Sequence, residues 1–167
     1  MTIRSNKLLN LALAAAALTF SGLALAESAA IPVNIVTAVS ANAELSTFTR
    51  LIKQAGLVST LEGSGPVTVF APTDDAFKNV PAETLDKLAK DPDLLKYVLG
   101  YHLVPGLVKS SSIEGAMPLT TSTGAKLGVS KAGEFVTVDD GLVVKADLPA
   151  GNGVIHVIDT VLTPPKK

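Results

Sequence analysis

The sequence contains no cysteine and no tryptophan, and only two histidines, two tyrosines and five phenylalanines. Without cysteine there is no disulfide, no thiol nucleophile and no lipid-modified cysteine. The lack of tryptophan argues against a lectin that stacks sugars on indoles. A zinc site would need both histidines plus carboxylates at tetrahedral geometry, and their spacing announces none. No basic cluster is present, which argues against nucleic acid, bound largely by neutralising phosphates. After Glu27 no apolar run approaches the roughly 18–20 residues that span a bilayer.

What is present begins with Arg4 and Lys7, followed by the apolar run Leu8 to Phe20 and by Ala24-Leu25-Ala26. This pattern predicts a secretory signal peptide over residues 1–26 with an Ala-x-Ala cleavage site. Cleavage there removes two of the 14 basic residues and none of the 15 acidic ones, leaving 12 against 15 and a net charge of −3. Residues 27–33 read as a mobile lead, residues 34–165 as one domain, and Lys166-Lys167 as a solvated tail. A domain of this size buries a core without staples.

Periodicity orders the elements. Asn34 is placed to cap a first helix through Ile35, Val36 and Val39. Leu45, Phe48, Leu51, Ile52 and Ala55 recur at spacings of three and four, predicting a second helix stopped by Gly56. A turn through Leu57 and Leu61 leads to a strand over 67–70. Pro81 and Asp91-Pro92 each open a further helix. Beyond Tyr101 the spacing predicts short strands near 102–104, 107–110, 117–120, 126–129, 135–138, 142–145 and 154–162, with Asp140-Gly141 as a hairpin turn. Helices first and strands second predict an α+β domain and argue against a βαβ nucleotide-binding fold.

The stretch "TVFAPTDDAF" (68–77) sets two carboxylates at the mouth of a short helix. Thr73 is a natural N-cap, and Asp74 and Asp75 meet the positive end of the helix dipole. A catalytic acid needs a raised pKa, whereas a helix N-terminus lowers it, so the helix-start reading is preferred. The same stretch resembles the opening block of the fasciclin (FAS1) domain family. "LLKYVLGYHLVPG" (94–106) is similar to the family's Tyr-His block, here Tyr101-His102. "NGVIHVIDTVLTPP" (152–165) is similar to its closing block, in which Asn152, His156 and Asp159 read as structural.

The resemblance implies a seven-stranded β-wedge with helices packed beside it. It implies an exported, non-enzymatic module, periplasmic or secreted, that mediates adhesion or binds protein or polysaccharide at the cell surface, with no cofactor. Tyr101 and His102 would stabilise the fold and contribute to adhesion. Asp147-Leu148 falls where matrix members carry an integrin-binding Asp-Ile pair, and is expected to form an exposed interaction edge. Because one weak copy gains from linkage, a homo-oligomer or a multivalent partner is expected.

Two rival functions are weighed beside this one. The first is a carrier of an apolar small molecule, a pigment or lipid, in a groove between helices and wedge. The second is a periplasmic enzyme using His102 with a carboxylate; the preferred reading of His102 is a buried imidazole hydrogen-bonded to a backbone carbonyl or to a carboxylate, with Asp74 or Asp75 as the candidate partner. A hydrolase triad through Ser110-Ser111-Ser112 is disfavoured, since no Gly-x-Ser-x-Gly elbow surrounds them. Gly151-Asn152-Gly153 leads into a strand and lacks the lysine of a phosphate loop, so it reads as a tight turn.

Overall fold

A computed structural model describes residues 33–63 and 65–164. The expected signal peptide, nearly all of the lead and the lysine tail lie outside the described residues. Helix α1 (Ile35–Ala41) opens where Asn34 Oδ1 accepts the Thr37 amide at 2.9 Å. Helix α2 (Ser46–Gln54) buries Phe48 and Ile52, continuous with buried Leu45 and Ala55 at its ends, and Gly56 at φ +68° turns the chain out of it. After β1 (Val67–Pro72) come α4 (Asp74–Lys78), α5 (Ala82–Lys90) and α6 (Pro92–Tyr101), with α3 (Val58–Gly63) preceding that strand. Asp91 caps α6 by accepting the amides of Asp93 and Leu94, each at 3.0 Å.

The remaining strands are β2 (Leu103–Pro105), β3 (Ala116–Thr120), β4 (Lys126–Ala132), β5 (Phe135–Val138), β6 (Gly141–Ala150) and β7 (Gly153–Ile158). The described residues form one seven-stranded sheet in the order β2-β1-β7-β6-β5-β4-β3, antiparallel except between β1 and β7. Strand β6 carries two register irregularities, between Val143 and Lys145 and between Lys145 and Leu148, which bend the sheet into a wedge. The far ends approach each other, where Ser122 donates its amide to the Leu103 carbonyl at 2.7 Å. The α+β class and the seven-stranded wedge with flanking helices are therefore both observed.

The core lies on both faces of the central pair, and every residue of β1 and β7 is buried. Val67, Val69, Ala71, Ile155 and Val157 pack against the helices, while Phe70 and Ile158 fill the wedge with Leu127, Val129, Val136 and Val138. Period-2 alternation assigns His156 and Thr68 to the wedge side. Each of the large buried apolar side chains contributes about 1.5–3 kcal/mol.

Several expected elements differ. Leu57 to Leu61 is not a bare turn but leads into α3, whose short β-branched sequence shows only Leu61 as a buried anchor. Residues 107–109 form no strand, because side chains take the place of ladder partners there, and Ser110–Ser112 is a 3-10 turn. The β5–β6 turn falls on Asp139-Asp140, since Val138 pairs with Gly141; the left-handed residue is Asp139 at φ 48°, not the glycine. Strand β7 ends at Ile158, four residues short of Leu162.

Candidate functional site

The opening block closes on structure. Thr73 Oγ1 accepts the Ala76 amide at 3.1 Å and caps α4. Asp74 also serves the neighbouring helix: it accepts the Ser46 hydroxyl at 2.6 Å and the Thr47 amide at 2.7 Å. Helix α2 has no cap from its own preceding side chain, so Asp74 satisfies that end. Partial burial pulls the Asp74 pKa upward, but the hydrogen bonds from Ser46 and Thr47 outweigh it and leave the pKa lowered, opposite to what a general acid needs. Asp75 pairs with Lys78 at 2.6 Å in an exposed contact of little energetic weight.

Tyr101 and His102 are both buried, at 2% and 1% exposure. Tyr101 ends α6, and His102 is its C-cap rather than the first residue of a strand. The Tyr101 hydroxyl, which donates a single hydrogen, lies 2.7 Å from Asp139 Oδ2 and 3.0 Å from the Lys126 carbonyl, and this tethers α6 to the wedge. Of the two arrangements expected for a buried His102, it takes the bond to a backbone carbonyl and not one to Asp74 or Asp75. Its Nε2 accepts the Leu162 amide at 3.1 Å, which leaves Nδ1–H to donate to the Val98 carbonyl at 2.8 Å. Both ring nitrogens are committed to backbone, and neither side chain is presented to a partner.

Asp147 and Leu148 sit at the β6 irregularity and are half-buried rather than forming an open edge. Asp147 holds φ 56°, a left-handed conformation that its surroundings impose. Its carboxylate accepts the Ser110 amide at 2.8 Å and the Ser110 hydroxyl. Leu148 packs on the helix-side core. Burial pulls the Asp147 pKa upward, but the hydrogen bonds from Ser110, with lesser contributions from nearby His156 and Lys109, lower it on balance.

His156 is fully buried and stacks on Phe70 with ring centroids 5.3 Å apart. Its Nδ1 accepts the Asp147 amide at 3.3 Å, so Nε2–H donates to the Val108 carbonyl at 2.7 Å. Thr68 Oγ1 accepts the Val108 amide at 2.8 Å and donates to the Gly106 carbonyl at 2.8 Å. Lys131 donates to the Ser110 carbonyl at 3.0 Å. Segment 106–112 is thus a strap clamped to the wedge by four side chains.

Ser110, Asp147 and His156 meet here, but the hydroxyl binds the carboxylate and not the imidazole, so the order a nucleophile requires is missing. Ser110→Ala is expected to cost about 1 kcal/mol, because Asp147 loses a charge-assisted bond but keeps the Ser110 amide. Urea unfolding measures it; an unchanged midpoint would show that the clamp carries no energy.

Asn152 joins three elements. Its Oδ1 accepts the Ile35 amide at 2.8 Å, its Nδ2 donates to the Leu61 carbonyl, and its own carbonyl accepts the Val67 amide at 3.1 Å. Asp159 Oδ1 accepts the Leu142 amide at 2.8 Å and the Thr160 hydroxyl at 3.0 Å. Gly151-Asn152 is the tight β6–β7 turn expected. Ser110, Asp139 and Thr68 were not singled out as partners by sequence; only the polar character of Thr68 and Asp139 inside or beside apolar runs signalled them.

A groove of about 670 Å³ opens elsewhere. Its walls are Thr84 and Leu88 of α5, Leu94 and Val98 of α6, and Leu162 and Pro164 of the segment after β7. It therefore lies between two helices and the C-terminal segment, not between helices and wedge as expected. Among the described residues no group of three or more His, Asp or Glu is arranged to hold a metal ion, and no helix is long and apolar enough to cross a membrane.

Compared with known proteins, the chain is matched by the fasciclin domain family model over residues 43–164. It is 40% identical over 133 residues to Protein sll1483 of Synechocystis sp., covering 78% of this chain and 73% of that protein. It is 40% identical over 136 residues to Cell surface glycolipoprotein MPB83 of Mycobacterium bovis, covering 78% and 60%. With Transforming growth factor-beta-induced protein ig-h3 of Sus scrofa the identity is 41% over 114 residues, covering 68% and 17%. Among solved structures, a FAS1 domain pair from the insect cell adhesion molecule Fasciclin I matches with a TM-score of 0.58 at 19% identity, covering 74% of this chain and 46% of that one; this likeness bears on the fold.

Proposed function

The chain belongs to the fasciclin domain family, and from that premise we propose that it is an exported, non-enzymatic interaction module that engages a protein or polysaccharide at the cell surface. The observation that carries this reading is the similarity across most of the domain to a cell surface glycolipoprotein. It agrees with a site chemistry in which both imidazoles are buried and spent on backbone bonds. Residues 34–165 act as the single domain, delivered by the signal peptide at 1–26 to the periplasm or beyond.

The contact surface is assigned to the exposed bulge of β6, Val144 to Ala146, where Val144 is 48% exposed and Lys145 reaches Glu44. Asp147 and Leu148 beneath it contribute by fixing the bulge. Immobilised protein exposed to cell-envelope extract is expected to retain a protein or glycan saturably. Val144→Ser with Lys145→Gln should weaken that retention about tenfold or more while moving the melt little, because exposed side chains carry little stability. Retention that ignores the double variant would remove β6 as the surface; no saturable protein or glycan would remove the reading.

The groove beside α5 and α6 favours a second reading, binding of an apolar small molecule. Its size falls within the roughly 300–1,000 Å³ of small-molecule sites.

A further inference from the structure

We propose that this groove selects an uncharged apolar molecule over an anionic amphiphile such as a fatty acid, an inference that rests on the small-molecule reading. The walls are aliphatic, and the polar groups that line them are Thr84, Tyr97, Thr163 and Asp91. Asp91 is the single ionisable carboxylate among them, and no lysine, arginine or histidine lines the groove among the described residues. Moving an anion out of water demands a pairing cation or several donors. Here an anionic headgroup would find no pairing cation on the walls and would meet instead the like charge of Asp91, which stands exposed to solvent, so the missing cation is the main source of the preference.

Asp91 cannot turn away to relieve this. Its Oδ1 is held at 3.0 Å by the amides of Asp93 and Leu94 as the cap of α6. A neutral ligand incurs no such cost and gains the apolar contact of Leu88, Leu94, Val98 and Leu162, together with the hydroxyls of Thr84 and Thr163.

The class is readable with two probes that share one aromatic skeleton. N-phenyl-1-naphthylamine is neutral, and 1-anilinonaphthalene-8-sulfonate adds one sulfonate. Titrated into the mature protein, residues 27–167, the neutral probe is expected to bind saturably and at least about tenfold more tightly than the sulfonated one, a factor of ten being 1.4 kcal/mol. Thr84→Trp, which fills the groove from α5, should abolish the neutral probe's binding. Asp91→Asn keeps the cap, since asparagine caps as well as aspartate, and should tighten the sulfonated probe several-fold while leaving the neutral one within about twofold.

Lys166 and Lys167 follow Pro164 in the sequence; the same preference is expected in Lys166→Ser with Lys167→Ser. If both probes bind equally in both proteins and Thr84→Trp blocks both, charge selection is overturned while the small-molecule reading stands. If the neutral probe shows no saturable binding, or Thr84→Trp with a native melt leaves it intact, both fall together.

Discussion

Gly153→Ala is expected to cost about 4 kcal/mol or more and to lower the thermal midpoint by roughly 10–20 °C, or to prevent accumulation of folded protein. Gly153 begins β7 and pairs with Val67 of β1 in the parallel centre of the sheet. A Cβ built on it falls 1.8 Å from the Val67 carbonyl oxygen, 2.9 Å from the Val67 carbonyl carbon and 2.8 Å from Ile35 Cδ1. The first two are backbone atoms and cannot rotate aside. Relief would require β1 and β7 to separate where both are buried on each face, breaking the Val67 amide's 3.1 Å bond to the Asn152 carbonyl.

The glycine is needed for space and not for a left-handed φ, which distinguishes it from Gly56 at φ +68° with nothing near its Cβ position. Thermal unfolding followed by circular dichroism decides the matter. A midpoint within a few degrees of the parent would mean that the two central strands are less tightly apposed than the structure shows.

How much of this was legible in the sequence depended on whether a side chain acts locally or across the fold. Thr73 and Asn34 cap the helices that immediately follow them, so capping preference alone located them, while the start at Asp91-Pro92 followed from the proline. The apolar faces of α2 and β7 followed from spacing, and β7's apolar character on both faces correctly made it central. Local signals failed where a distant group supplied the hydrogen bond. Residues 107–109 have strand composition, yet Thr68 and His156 hold Val108 with their side chains, so no ladder forms. Nothing near Ser46 announces that Asp74, 28 residues later, serves the start of α2. The likeness of Asp147-Leu148 to a contact motif carried no information on burial, which is set by a clamp from Ser110 that is 37 residues away. The groove is likewise invisible locally, because α5, α6 and the C-terminal segment each contribute a wall.

Acidification is expected to destabilise the protein between pH 6.5 and about 4, with His102 contributing about 3 kcal/mol of the loss. Burial pushes the His102 pKa down from 6.5 to about 4, against an opposing contribution from its bond to the Val98 carbonyl. Above pH 6.5 the ring is neutral in both folded and unfolded chains and its contribution is fully present. Between 6.5 and about 4 the unfolded chain takes up a proton that the folded chain refuses, so stability falls as pH falls. The geometry supplies the reason: a proton on Nε2 would face the Leu162 amide at 3.1 Å, donor against donor, with the ring 1% exposed.

His156 acts with the same sign, since burial also lowers its pKa against the opposing effects of the Val108 carbonyl and Asp147. Asp74 and Asp147, with pKa values lowered from 3.8, add their losses only at more acidic pH, so the histidine window is separable from theirs. Urea unfolding across this range gives the slope directly. His102→Gln can still accept the Leu162 amide but cannot titrate. It should be less stable than the parent near neutral pH, yet lose about one proton's worth of slope between pH 6.5 and 4. A variant that keeps the parental slope would place the acid sensitivity elsewhere, with His156 as the next residue to replace.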